Sequence, residues 1–441
     1  MGCCCCCCAF RTTESIETCI VAKNVSHFVG KWLSSDQAIM NQWLQQQIEE
    51  VDRKTSPDPL DPSVESFKNT IESNAELLMF FNQMFTESPT KRKRKNGTPQ
   101  VRNYHHMLTL INHVLKKSPE FNDSTTLVTF PITAILTKPM ETIGGYAAFL
   151  NPNVNSHIKD ILNTWGRYLQ SLASCYILNT DKWLSAKALE KMGGNFEDDF
   201  VCDPSKPHYG FSSWDDFFTR QFRPNVRPVA SPDDNKVIAN ACESNPFRVE
   251  KNVTKQGKFW IKGQPYNIKF LLADDPLVDS FVGGTVYQGS LRVFYYHRWH
   301  SPVDGKIVKA FVADGTYYSI PLSNGGNEYS VVISDYFQGY LAEVATRAII
   351  FIEADNPYIG LMCFIAVGMQ EVSSCEITVE EGQKVKKGQQ LGTFHFGGSS
   401  HCLVFRPGVE LVFDFHGYKP WPGQITTSGI KINSRIATVP K

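Results

Sequence analysis

Two clusters in this chain of 441 residues have the residue types and spacing for acyl chemistry. The first is Phe394-His395-Phe396-Gly397-Gly398-Ser399-Ser400, near the C-terminus. A Gly-Ser bond is open to attack by its own hydroxyl, because glycine brings no Cβ to shield its carbonyl and tolerates strained backbone. The serine oxygen is also tethered beside that carbonyl at high effective concentration. The plainer reading of such a stretch is a turn at a strand end. The second cluster, Tyr296-His297-Arg298-Trp299-His300-Ser301-Pro302-Val303-Asp304-Gly305, places two histidines three residues apart before a proline-containing turn. A serine hydroxyl is a poor nucleophile until a neighbouring group takes its proton, and an imidazole is a chemically attractive base for Ser399. A hydrogen-bonded core histidine is the competing reading. Metal binding lacks a third Cys, His or carboxylate at ligand spacing, apart from Asp304.

These residues need a scaffold, and the composition bounds it. The length suits two or three ordinary domains, and 42% hydrophobic residues can bury a large core. Lys plus Arg and Asp plus Glu both number 44, so charge gives no argument for a nucleic-acid partner. The longest apolar run, Tyr358 to Met369, covers 12 residues and is broken by Gly360 and Gly368, short of the roughly 20 that cross a bilayer. Of 13 cysteines, six form the block Cys3 to Cys8 and the others are scattered without C-x-x-C spacing. Neither a zinc site nor a disulfide scaffold is expected, and no signal-peptide core opens the chain. A cytoplasmic location follows. The cysteine block reads as a low-complexity tip or as a site of S-acylation, which would make the protein peripheral to a membrane; a myristoylation motif would need Ser or Thr where Cys6 stands.

From Lys31 to about Met192 the apolar residues recur at three- and four-residue spacing, as in Phe67, Ile71, Leu77, Leu78, Phe81 and Met84. That spacing predicts amphipathic helices, with others around Tyr104 to Leu115, His157 to Leu172 and Trp183 to Met192. The run Lys91-Arg92-Lys93-Arg94-Lys95 reads as a solvated loop between them. After about Asp203 the chain turns to short β-branched and aromatic segments, including Val282 to Tyr296, Ile307 to Phe311, Ala348 to Ile352, Leu361 to Val367 and Cys402 to Phe405, which predict strands. The fold class is α+β: a low-complexity tip over 1–30, a helical domain over 31–200, and a strand-rich domain over 201–441 with a compact β-sandwich-like core. Glu381-Gly382 to Gly392 resembles the paired turn of biotinyl and lipoyl carriers, but no lysine stands at its tip, so a turn is expected there rather than a swinging arm.

The stretch Tyr209-Gly210-Phe211-Ser212-Ser213-Trp214-Asp215-Asp216-Phe217-Phe218-Thr219-Arg220, continuing to Arg227-Pro228-Val229, resembles the leading signature of phosphatidylserine decarboxylases. With Y-H-R-x-H-S-P-V-D-G and the terminal Gly-Ser-Ser element it makes three motifs in the family's order, spanning Tyr209 to Phe405. The helical region with Trp32-Leu33 and Phe67 to Phe85, together with Ala241-Cys242-Glu243-Ser244 and Phe351-Ile352-Glu353-Ala354-Asp355-Asn356, is similar to the fungal L-tryptophan decarboxylase branch.

The resemblance implies that Ser399 attacks the Gly398 carbonyl, that the resulting ester eliminates, and that residue 399 becomes a pyruvoyl group. The mature protein would then hold chains 1–398 and 399–441. His300 matches the base for this cut, and His297 matches the second histidine of the motif, near the substrate carboxylate or the returned proton. Glu243 is the candidate for the acid that orients His300, with Asp304 as the alternative, although a turn role suits Asp304 better. A pyruvoyl ketone serves as the electron sink, so neither pyridoxal phosphate nor a metal is required. Phe394, Phe396 and His401 flank the site, with the two phenylalanines expected to be strand packing rather than substrate selectors.

The implied activity is pyruvoyl-dependent decarboxylation of an aromatic L-amino acid, with tryptophan giving tryptamine, by a homo-oligomer of two-chain units. The alternatives are a phosphatidylserine decarboxylase making phosphatidylethanolamine, and a noncatalytic β-rich binding protein. A lipid enzyme must meet a membrane, and here only acylation of the N-terminal cysteines offers an attachment.

Overall fold

The structure, a computed structural model, describes residues 37–56, 58–87, 101–121, 127–128, 130–256, 266–320, 338–371, 374–396, 400–420 and 429–440. The Cys3 to Cys8 block, the basic run Lys91 to Lys95 and the Gly398-Ser399 pair lie outside the described residues.

The first half is built from helices α1 (Gln37–Asp52), α2 (Pro62–Ser73), α3 (Ala75–Thr86), α4 (Tyr104–Val114), α5 (Pro131–Met140), α6 (Ile143–Leu150) and α7 (Pro152–Leu169). The apolar spacing is realised in Val64, Phe67 and Ile71 of α2 and Leu77, Phe81 and Met84 of α3, all buried, with the rings of Phe67 and Phe81 meeting edge-on at 5.5 Å. Local chemistry sets the ends. Asp61 accepts from the Ser63 N–H ahead of Pro62, and Asn74, which terminates α2, caps α3 by accepting from Glu76 and Leu77. By contrast α5 follows Phe130, whose side chain offers no cap. Among the described residues no helix is long and apolar enough to cross a membrane.

The second half carries a seven-stranded antiparallel sheet made of β2 (Asn245–Lys251), β3 (Thr285–Ser290), β5 (Gly305–Ala313), β6 (Arg347–Ala354), β7 (Leu361–Val367), β9 (Lys384–Val385) and β11 (Ser400–Phe405), in the order β9-β5-β6-β7-β11-β3-β2. A second sheet has the order β8-β10-β4, from β4 (Arg298–His300), β8 (Ser374–Ile377) and β10 (Gln390–His395). A third joins β1 (Val237–Ala239), β12 (Val412–Phe413) and β13 (Arg435–Thr438). The large sheet is buried on both faces: Ile350, Ile352, Phe364 and Leu403 enter one core, while Ile349, Phe351, Ile365 and Val404 enter another. That alternation is the period-two pattern of a strand. The carrier-like stretch does form a turn. Gly388 takes φ +83°, and a Cβ there would fall 2.3 Å from the Val229 Cγ2 methyl carbon.

The strand expected over Val282 to Tyr296 stops at Ser290. Beyond it the chain leaves the sheet because Val293 and Tyr296 pack into the helical core instead. This departure defines the molecule's central feature. Strands β7, β11 and β3 are neighbours in the large sheet, and β8, β10 and β4 follow in the same order in the small one. Three connections therefore join neighbouring strands of the large sheet to neighbouring strands of the small one: β7 to β8, β10 to β11, and β3 to β4 through residues 291–297. The middle one carries the Gly398-Ser399 pair. Each has a described residue packed into the helical core, since Met369, Phe396, Val293 and Tyr296 belong to the same hydrophobic cluster as α1 to α7.

Candidate active site

Both described ends of the middle crossover are held by side chains. Upstream, Phe396 adopts φ +47°, a left-handed conformation that disfavours a bulky residue. Its ring is boxed by Trp165 of α7 at 4.6 Å, Trp214 at 4.8 Å, Phe218 at 5.9 Å and Phe130 at 6.4 Å, largely edge to face. Such packing can hold a backbone conformation worth about 1–3 kcal/mol of strain. Downstream, the Ser400 hydroxyl accepts from the Gln288 amide at 2.9 Å, and the Tyr266 hydroxyl donates to the other end of that amide. All three side chains are buried. Phe394 packs on Trp299 at 5.2 Å within the sheet core, as expected of a strand residue, whereas Phe396 joins the two halves of the molecule. His401 is buried against Tyr287 and Phe364.

Trp214 and Phe218 belong to a short helix, α8 (Trp214–Phe218), started by Ser213, whose hydroxyl accepts from the Asp216 N–H. On its other side Asp215 reaches the Nδ1 atom of His395 at 2.8 Å, and Glu376 of β8 reaches its Nε2 at 2.7 Å. Burial works against a charged imidazole here, but hydrogen bonds and charges from Asp215 and Glu376 outweigh it and raise the His395 pKa to about 9. The D-F-F-x-R element is thereby clamped to the strand leading into the middle crossover.

His297 ends the 291–297 crossover. Its carbonyl accepts from the Phe394 N–H at 3.0 Å, and its ring stacks on Phe218 at 4.1 Å. Complete burial, with the nearby Arg220 guanidinium as a second cause, holds its pKa well below the usual histidine value. His300 lies further along β4, in register with Gln390, and its Nε2 meets the Tyr296 hydroxyl at 3.2 Å. Burial lowers its pKa to about 4, opposed by the side chain of Asn433. Both imidazoles are therefore neutral at pH 7, the form in which a ring nitrogen can accept a proton. By register His297 is nearer the middle crossover than His300.

The candidate acids are elsewhere engaged. Glu243 accepts from the Arg227 Nε at 2.7 Å, and that guanidinium lies 4.2 Å over the Phe222 ring. Asp304 accepts from the Lys387 N–H at 3.2 Å and stands 3.6 Å from the Lys386 ammonium, which is the turn role its sequence context suggested. The structure brings neither carboxylate within ion-pair distance of His300, whose ring meets the Tyr296 hydroxyl and the Asn433 side chain. Tyr296, Gln288 and His395 escaped the sequence argument. Tyr296 and His395 stood inside quoted motifs without an assigned part, and Gln288 is tied to Ser400 only by strand register. Among the described residues no group of three or more His, Cys, Asp or Glu is placed to hold a metal ion.

The described residues offer two buried neutral imidazoles, His297 and His300, and firmly packed side chains at Phe396 and Ser400. Two family models described as phosphatidylserine decarboxylase match residues 61–192 and 214–418. The decarboxylase iboD of Amanita muscaria (strain Koide BX008) is 44% identical over 327 residues, 70% of this chain and 91% of that protein. An L-tryptophan decarboxylase of Psilocybe cubensis is 36% identical over 437 residues, 92% and 94% of the two chains. Phosphatidylserine decarboxylase proenzyme 3 of Schizosaccharomyces pombe (strain 972 / ATCC 24843) is 30% identical over 243 residues, 55% of this chain and 24% of that one.

Proposed function

This chain belongs to the phosphatidylserine decarboxylase family and is a decarboxylase, and from that premise we propose that it acts on an aromatic L-amino acid, tryptophan giving tryptamine, after cutting itself between Gly398 and Ser399. The observation that carries the reading is the middle crossover: a Gly-Ser pair between two clamped ends, with buried neutral histidines in the neighbouring crossover and strand. Similarity to the Psilocybe cubensis L-tryptophan decarboxylase extends over both halves of the chain, which favours an amino acid over the phospholipid handled by relatives matching only about half of it.

Ser399 is the proposed nucleophile, and fixing Phe396 and Ser400 on either side limits how far its hydroxyl can move from the Gly398 carbonyl. His300 is the proposed base for the cut, oriented by Tyr296 and Asn433. The pyruvoyl group left at residue 399 would supply a ketone that condenses with the substrate amine and withdraws electrons from the bond to the carboxylate. His297 would face that carboxylate in its uncharged form. The helical cluster over the crossovers excludes water and presents an aromatic surface to the substrate side chain.

The test is to purify the full chain, weigh its fragments, and supply tryptophan, phenylalanine, tyrosine and phosphatidylserine in parallel. Fragments 1–398 and 399–441, loss of activity on hydrazine treatment and amine release from tryptophan are the expected results. A single uncut chain, or turnover of the lipid alone, would reject the assignment.

A further inference from the structure

Asn433 lies just before β13, beyond every motif of the sequence, and its side chain stands beside the His300 ring. The residue is buried, at 6% exposure. Its backbone takes φ +65°, a left-handed conformation that asparagine tolerates better than most residues, and its N–H and carbonyl are bonded to Asn240 and Ala230. The orientation of its amide follows from a further bond. Nδ2 donates to the Arg227 carbonyl at 3.0 Å, and turning the amide over would set two carbonyl oxygens against each other. Oδ1 therefore faces away from that carbonyl, buried and with no donor bonded to it among the described residues. The Nδ1 atom of His300 is buried and without a partner in the same way.

These two atoms complement one another. Burial lowers the His300 pKa and the Arg298 guanidinium adds to it, while the Asn433 side chain is the first group opposing them, followed by the Gly388 carbonyl. An amide raises the pKa of an imidazole by accepting from a ring N–H. A neutral imidazole carries one N–H, so a proton on Nδ1 leaves Nε2 with its lone pair. The Tyr296 hydroxyl, 3.2 Å from Nε2, then donates to it. Glu243 is not free to orient the ring, because the Arg227 Nε holds it at 2.7 Å. Arg227 sets both conditions: its guanidinium occupies Glu243 and its carbonyl turns Asn433. That guanidinium lies on Phe222, whose ring is 4.4 Å from the ring of Tyr296.

We propose that Asn433 is the positioning residue of His300: its Oδ1 accepts from Nδ1–H, fixes that tautomer, and leaves Nε2 as the atom that takes up a proton. The proposal rests on the reading of His300 as the base given above. When Nε2 gains a proton, Nδ1–H keeps its bond to Oδ1, and the Tyr296 hydroxyl turns to accept from Nε2–H. A carboxylate in the place of this amide would hold the proton on the ring. The amide orients the imidazole without adding a charge, so His300 stays a base at neutral pH and passes its proton on readily.

The full chain carrying Ser399→Ala, with isotopically labelled histidine and the His300 signals assigned by their loss in His300→Gln, reports the ring by NMR whether or not a cut occurs. Nδ1 should be the proton-bearing nitrogen and Nε2 the pyridine-type one; the reverse would overturn the proposal. Asn433→Gly suits φ +65° and removes only the side chain, so the single tautomer should give way to a mixture. Asn433→Asp gives up the bond to Arg227 but keeps an oxygen toward the ring and adds a charge. It should raise the proton affinity of His300 about tenfold or more, and a folded Asn433→Asp whose His300 titrates as before would overturn the pairing. With Ser399 restored, Asn433→Gly should slow the cut about 10-fold, against about 100-fold or more for His300→Ala, and Asn433→Asp should recover part of the loss. A cut slowed more by Glu243→Gln than by Asn433→Gly would also overturn the assignment. Should Asn433→Gly not fold, the tautomer in Ser399→Ala decides alone. An uncut wild-type chain would sink the pyruvoyl reading itself, and the ring signals would still judge the pairing of Asn433 with His300.

Discussion

The clamp around His395 gives a stability prediction that can be worked from the structure. His395 stands between Asp215 and Glu376, with side-chain exposures of 25% for His395, 9% for Asp215 and 55% for Glu376. Its pKa rises from 6.5 to about 9 on folding. At about 1.4 kcal/mol per unit the shift has a ceiling of about 3.5 kcal/mol. Solvent screening of the exposed Glu376 reduces this to about 2 kcal/mol. Because the folded pKa lies above the unfolded one, the stabilisation is fully present below about pH 6.5 and is lost as pH rises through 9. The measurement is urea unfolding of Ser399→Ala with and without His395→Gln, so that single chains are compared. The two should differ by about 2 kcal/mol at pH 6 and converge toward zero near pH 10. A gap of the same size at both pH values would refute the charged clamp and leave His395 as a packing residue.

Three further outcomes follow from the same geometry. Ser399→Ala should remain one chain by intact mass, and His300→Ala should slow the cut by about 100-fold or more, as loss of a general base does; normal fragments from Ser399→Ala would remove it as the precursor. Phe396→Ala, which empties an aromatic box shared by both halves, should cost about 3–5 kcal/mol in chemical denaturation and slow the cut, while Phe396→Leu recovers part of each. Gln288→Leu leaves the buried Ser400 and Tyr266 hydroxyls without their amide partner, a loss of about 2–4 kcal/mol measurable by the same unfolding curves.

Where local physics decides the structure, the sequence was a sufficient guide. Leu361 to Val367 forms a strand over the expected span because seven apolar residues in a row suit a strand buried on both faces. The Phe67 to Met84 pattern forms two helices because Asn74 both stops one and caps the next. Val282 to Tyr296 misled because β-branched and aromatic residues serve a strand and a buried crossover equally well, and only the helical core decides between them. The site divides the same way. The Y-H-R-x-H element is legible because its residues are contiguous. Glu243 looked available for His300 because nothing in the sequence joins it to Arg227.

That order also explains why the helical half accompanies the sheets. Each crossover sends at least one large side chain away from the strands: Val293 and Tyr296 from one, Phe396 from the second and Met369 from the third, all at most 4% exposed. Burying such residues contributes about 1.5–3 kcal/mol each as an upper bound, a sum comparable with the net stability of a whole domain. Stripped of the helices, the crossovers would present these residues to water, and water beside the Gly398-Ser399 pair would weaken every electrostatic interaction there. Trp165 and Phe130 touch Phe396, and Thr133 bonds Gln370 and Glu371, so the helical half packs directly on the described residues that flank the proposed cut and its neighbouring connection.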